Sequence, residues 1–195
     1  MQRKLQQIYI CMAVLHLKQK NQPRRDLYRI FVYDCPPLTK KAHNPISNNS
    51  IDFSKTDIAQ FRLKFHDELR SKRLVALRLG HLSKHAKWNI HPHRLKEVFK
   101  GTKKFEDLNE DDVFYQARQK GVDMKLGVDI ASLAYKKLVN QIVLIAGDAD
   151  FIPAAKLARR EGIDFILDPM RQLIDPALNE HVDGLRTTAP AATKT

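Results

Sequence analysis

Gln141-Ile-Val-Leu-Ile-Ala-Gly-Asp-Ala-Asp-Phe151 reads as a buried strand that runs straight into a pair of carboxylates. Residues 141–146 are the most hydrophobic strand candidate in the chain. Gly147 gives the backbone room for a sharp turn, and Asp148 and Asp150 follow it. Next, Ala154–Glu161 has a helical pattern with Gly162 at the usual stop position, and Ile163-Asp-Phe-Ile-Leu167 is a further strand. Strand, helix and strand in close succession form the unit from which parallel sheets are built.

Working outward, Tyr28-Arg-Ile-Phe-Val-Tyr33 reads as a strand closed by the turn Asp34-Cys-Pro-Pro37. Leu74-Val-Ala-Leu-Arg-Leu79 before Gly80 reads as another. Between them, Ile58, Phe61, Phe65 and Leu69 recur at helical spacing within 57–73. Lys125–Leu138 has a helical pattern, and Asn109-Glu-Asp-Asp suggests a helix through Lys120 with acids at its N-terminus. Residues 39–56 read as polar loop and 81–104 as basic loop or short helix. The apolar run Ile8–Leu17 reads as a buried strand or short helix. It falls well short of the roughly 20 residues needed to span a bilayer. The expected fold is an α/β domain with a mostly parallel sheet covered on both faces, its ligand at the carboxyl ends of the strands.

Composition narrows the function. The chain of 195 residues carries 34 Lys+Arg against 22 Asp+Glu, a formal charge of +12. Its 43% apolar content excludes a disordered chain, and the charge favours a polyanionic partner. Cys11 and Cys35 are too few for a disulfide framework, which sets the expected location in the reducing cytoplasm.

Four acids flank the end of the 141–146 strand. Asp148 and Asp150 repel one another unless a cation or proton intervenes, and a hard divalent ion bound through oxygen is the natural solution. Asp123 opens the Lys125–Leu138 helix. Asp129 lies about 60° from the line of Leu126, Ile130, Leu133 and Lys137, near the edge of the buried stripe, where an unpaired carboxylate is costly. Each acid also has a plainer reading. Asp123 serves as a helix cap, Asp129 as the partner of a buried arginine, Asp148 as a cap for the next turn, and Asp150 as an acceptor of backbone N–H groups. An Asp-x-Asp after a strand also serves phosphoryl-transfer nucleophiles, but that use leaves Asp123 and Asp129 unexplained.

Three stretches carry a resemblance. Gln119-Lys-Gly-Val-Asp-Met-Lys-Leu-Gly-Val-Asp-Ile-Ala-Ser-Leu-Ala-Tyr135, the 141–153 strand exit, and Ala158-Arg-Arg-Glu-Gly162 are similar to the NYN domain family, which is LabA-like and PIN-related. The match extends more loosely through Tyr33–Pro37, Ala76–Gly80 and His181–Leu185. The resemblance implies a PIN-like three-layer α/β/α sandwich over 27–186, preceded by an atypical segment 1–26 and followed by a disordered tail 187–195. It implies a ribonuclease dependent on Mg2+ or Mn2+, with Asp123 and Asp129 as helix acids and Asp148 and Asp150 as strand-exit acids. Metal-activated water would there attack the scissile phosphate in line. One departure stands out. Family members open with a strand ending in an acidic Asp-Gly turn, whereas the first 25 residues here contain no acid. Asp34, at the end of a different strand, is the substitute on offer. The second reading is therefore an RNA-binding or regulatory module on the same fold.

The expected partner is single-stranded RNA, with no membrane. Lys84, Lys87, Arg94, Lys96, Lys100, Lys103 and Lys104 face a single acid, Glu97, within 84–104. Such cations neutralise phosphates. Trp88, Phe99 and Phe105 lie among or beside them, and Trp88 is read as core more readily than as a base-stacking platform. His81, His85, His91 and His93 lack the cysteine or carboxylate partners of a zinc site.

Overall fold

The computed structural model describes residues 10–18, 21, 23–146 and 148–190, with the Ala149 side chain excepted. The turn expected at Gly147 lies outside the described residues, as do Ile8 and Tyr9 of the N-terminal apolar run. The helices are α1 (residues 10–16), α2 (Asp57–Arg70), α3 (Pro92–Phe99), α4 (Val122–Tyr135), α5 (Ile152–Arg160) and α6 (Pro176–Asn179). The longer strands are β1 (Ile30–Asp34), β4 (Val75–Leu79), β6 (Lys87–Ile90), β7 (Val113–Gln116), β9 (Gln141–Ile145) and β10 (Asp164–Asp168). Shorter ones are β2 (Lys41–His43), β3 (Ser50–Asp52), β5 (His81–Leu82), β8 (Gln119–Lys120) and β11 (Gly184–Leu185).

The protein is a mixed α/β chain that divides into two compact units. The first comprises the described parts of Met1–Tyr33, Leu69–Arg78 and Val122–Thr195; the second comprises Asp34–Glu68 and Leu79–Gly121.

In the first unit β10 lies between β9 and β11, parallel to both, in register from Asp164 opposite Gln141 to Asp168 opposite Ile145. A parallel pair needs a crossover, and α5 supplies it. Ala155 and Ala158 are fully buried, so α5 approaches closely with small side chains. Gly162, at φ +82°, then turns the chain out of the helix where a side chain would be strained. The core joins Leu126, Ile130 and Ala134 of α4 to Leu144, Phe165, Leu167 and Leu178. At Gly184 an added Cβ would stand 3.1 Å from Ile166 Cδ1, so the β10–β11 approach is close. β1 pairs with β4 in a separate two-stranded sheet.

Helix α1 and residues 186–188 meet at the end of β10. Asp168 is fully buried. Its Oδ2 lies 2.9 Å from His16 Nε2 and accepts from Thr188 Oγ1 at 2.7 Å and Thr188 N at 2.9 Å; its Oδ1 accepts from Met170 N at 2.9 Å. The Arg186 guanidinium donates to the carbonyls of Leu15, His16 and Lys18, closing the C-terminal end of α1.

The second unit is built from antiparallel pairs, β2–β3, β5–β8 and β6–β7, in contrast to the mostly parallel expectation. Local sequence explains them. Asn44 Oδ1 accepts the N–H groups of Ile46 and Ser47, an Asx turn that folds 39–56 into a hairpin. Asn109 caps only a single turn, Glu110–Asp112, after which the β-branched and aromatic Val113-Phe-Tyr-Gln116 pairs with β6. The helix expected over 109–120 is therefore a turn and two strands. Trp88 packs edge-on against Tyr115 at 5.3 Å, and Phe53 stacks on the same ring at 5.3 Å.

Candidate acidic site

The 3-10 turn Ala149–Phe151 and α5 both pack against α4, which brings the strand exit beside the helix that carries Asp123 and Asp129. α4 begins at Val122, three residues earlier than its pattern suggested, so Asp123 lies in its first turn, exposed, where the positive end of the dipole favours a carboxylate. Asp148 is exposed, and its Oδ1 accepts the Asp150 N–H at 3.1 Å. This is the local turn cap of the plainer reading. Asp150 is exposed within the 3-10 turn.

Asp129 is different. Its side chain is only 18% exposed, and three donors hold it. Arg78 of β4 grips both oxygens, Nε to Oδ2 at 2.9 Å and Nη2 to Oδ1 at 3.2 Å. Tyr33 of β1 donates its hydroxyl to Oδ2 at 3.0 Å. Such a fork is among the stronger polar contacts a protein makes. The Arg78 guanidinium also lies 5.5 Å from the centre of the Phe31 ring, a cation–π contact. Burial and the adjacent Asp129 charge push the Tyr33 hydroxyl far above its usual range, so it stays a neutral donor.

These side chains do not fit a resident divalent ion in this arrangement. Among the described residues no three His, Cys, Asp or Glu side chains gather into a group able to hold one. The most enclosed of the four acids is already paired with a guanidinium. Asp34, the substitute acid, is likewise engaged: Arg62 bonds Oδ1, and the buried His66 Nε2 lies 2.7 Å from Oδ2. Arg78, Tyr33, Arg62 and His66 were missed from the sequence. The available signal was Arg78 itself, the one charge inside an otherwise apolar strand.

The basic segment separates into structural and exposed cations. Asp112 is buried and takes Lys103 Nζ at 2.7 Å, Arg94 Nε at 2.6 Å and Asn109 N at 3.0 Å. Arg94 and Lys103 are thus committed to folding, while Lys84, Lys87, Lys96, Lys100 and Lys104 are exposed. Phe99 and Phe105 are 80% and 66% exposed. The hydrogen bond from Lys103, with that from the Asn109 backbone, outweighs burial and holds the Asp112 carboxyl at about 2. An unfolded aspartate titrates near ~3.9. The contribution of Asp112 is therefore complete above about pH 4 and is lost as pH falls toward 2. Wild type is expected to exceed Asp112→Asn in stability at neutral pH, with the gap closing between about pH 4 and 2, as read by denaturant titration at each pH.

Cys35 is buried, and burial raises its thiol pKa, as suits an inert core thiol; Cys11, expected to be buried, is exposed. The His91 ring packs on Phe114 at 4.8 Å, a structural use. Among the described residues no helix is long and apolar enough to cross a membrane.

The family model described as NYN domain matches residues 26–177. A solved structure of a protein of unknown function from Vibrio parahaemolyticus RIMD 2210633 is similar at 13% identity over 61% of this chain and 74% of that chain, with a TM-score of 0.32. No curated protein matches.

Proposed function

The chain belongs to the NYN domain family, and from that membership we propose that it acts on RNA as a ribonuclease supported by Mg2+ or Mn2+. The observation that carries the reading is the family match over residues 26–177, which takes in Asp123, Asp129, Asp148 and Asp150, with the 3-10 turn after β9 packed against α4. The net charge of +12 and the exposed Lys84, Lys87, Lys96, Lys100 and Lys104 support a polyanionic substrate. Exposed Phe99 and Phe105 beside Lys100 and Lys104 support single-stranded RNA, whose unpaired bases stack on aromatic rings. The two cysteines are free, in keeping with a cytoplasmic setting as part of this proposal.

Because the four acids as arranged do not form an ion cage, no step is routed through a metal. The residues' own contributions are of two kinds. The lysines hold the RNA backbone. The exposed Asp148 stands at the strand exit, its Oδ1 engaged by the Asp150 N–H. A second reading is binding without cleavage, and the closure of Asp129 by Arg78 and Tyr33 specifically favours it.

Labelled single-stranded RNA incubated with the protein in Mg2+, in Mn2+ and in EDTA separates the two. The first reading expects cleavage in either ion and none in EDTA, with cleavage lost and RNA binding kept in Asp148→Asn. Salt-sensitive binding with no cleavage under any condition overturns it in favour of the second.

A further inference from the structure

Asp129 is a carboxylate that already has a cation, and the protein supplies it. The Arg78 fork meets both oxygens at 2.9 and 3.2 Å, and the Tyr33 hydroxyl adds a third donor at 3.0 Å. A divalent ion binds the same lone pairs at about 2.0–2.6 Å. It would have to share them with a guanidinium that never loses its proton at working pH. Like charges at such separations repel strongly when partly shielded from water. The Arg78 side chain is 44% exposed, so the fork has solvent to swing into, whereas Asp129, at 18%, stays in place. Phe31 gives the guanidinium a resting face at 5.5 Å.

We propose that Arg78 is a built-in counter-ion that competes with divalent ions for Asp129, so that α4 offers this carboxylate to a metal only when the fork is released. The competition concerns ion uptake by the protein alone. It deepens the ribonuclease reading, but its test needs no RNA, so its failure is distinct from a failure of that reading.

The test is Mn2+ binding to the full chain by electron paramagnetic resonance. Arg78→Gln, which removes the charge and keeps an unbranched polar side chain, is expected to bind Mn2+ about tenfold or more tightly than wild type, the scale set by losing one charge-assisted pair. Adding Asp129→Asn to Arg78→Gln is expected to return the affinity to the wild-type level, which assigns the gain to that carboxylate. Arg78→Lys, which keeps the charge but not the two-pronged geometry, is expected to fall between and serves as the readout should Arg78→Gln fail to fold. Equal Mn2+ affinity in wild type and the folded Arg78 variants overturns the proposal. So does a gain that persists in the Arg78→Gln/Asp129→Asn double variant.

Discussion

Asp168→Ala is expected to destabilise the protein by about 3–5 kcal/mol, the scale of leaving several buried hydrogen-bond donors without their shared acceptor. Asp168 has no exposed surface and accepts from His16, from both the hydroxyl and backbone of Thr188, and from the Met170 backbone. Truncation strands all of these donors at once, and His16 is itself buried. Each buried donor left without a partner costs about 1–3 kcal/mol. Thr188→Val removes one donor and keeps the shape, so a loss nearer 1 kcal/mol is expected. Denaturant unfolding at neutral pH measures both. A loss below about 1 kcal/mol for Asp168→Ala would show that the network does not hold α1 and Thr188 to β10. Burial alone would raise the Asp168 carboxyl pKa, but the bonds from Thr188 and His16 outweigh it and hold the value below the ordinary range. With the folded value depressed, the stabilisation is complete above the unfolded value of about 3.9 and disappears as pH falls through the folded one.

Phe99→Ala with Phe105→Ala is expected to weaken single-stranded RNA binding by at least about 30-fold. A ring that stacks a base contributes about 1–3 kcal/mol, and two such rings reach that loss at the lower bound. Both rings are largely in solvent, so the melting temperature should barely move, which separates a contact effect from unfolding. Lys96, Phe99 and Lys100 are spaced to share one face of α3, so charge and ring act side by side. Changing Lys96, Lys100 and Lys104 together to Gln should flatten the plot of log affinity against log salt by about 2, since each phosphate contact on a single strand contributes about 0.7. Fluorescence anisotropy over a NaCl series reads both effects. Unchanged affinity in the double phenylalanine variant would move the RNA path off this segment.

The parts of the fold written in local pattern were legible beforehand. β9, α5 and β10 lie within a residue or two of where hydrophobicity and Gly162 put them, because a buried strand and a capped helix are specified by their own side chains. The stretch from Asn109 was misread because its acids suit a helix start equally well. The β-branched and aromatic run at Val113 decides for a strand, and it does so by pairing with residues 87–90. The α2 stripe shifted similarly. Leu69 of the expected stripe is buried, but Ile58 is 73% exposed, and Ala59 and His66 are buried in its stead, with His66 Nε2 2.7 Å from Asp34 Oδ2.

The acidic site was legible in its residues and not in its state. The helical projection put Asp129 at the edge of the buried stripe, and pairing with an arginine was among its plainer readings. Which arginine is a matter of a separation of 51 positions along the chain, and no local pattern carries that. The same limit hid the division of the basic segment, where Arg94 and Lys103 look like their neighbours until buried Asp112 is found beneath them.

The anchoring of α1 at Asp168 has a consequence for how the molecule comes into being. During synthesis His16 emerges about 150 residues ahead of its acceptor, and Thr188 follows later still. At a translation rate of about 5–20 residues per second, α1 waits many seconds without this anchor. It is thus among the last pieces of its unit to be secured. A ribosome stalled before Asp168 is added carries a nascent chain in which α1 is unmoored and open to chaperones and proteases.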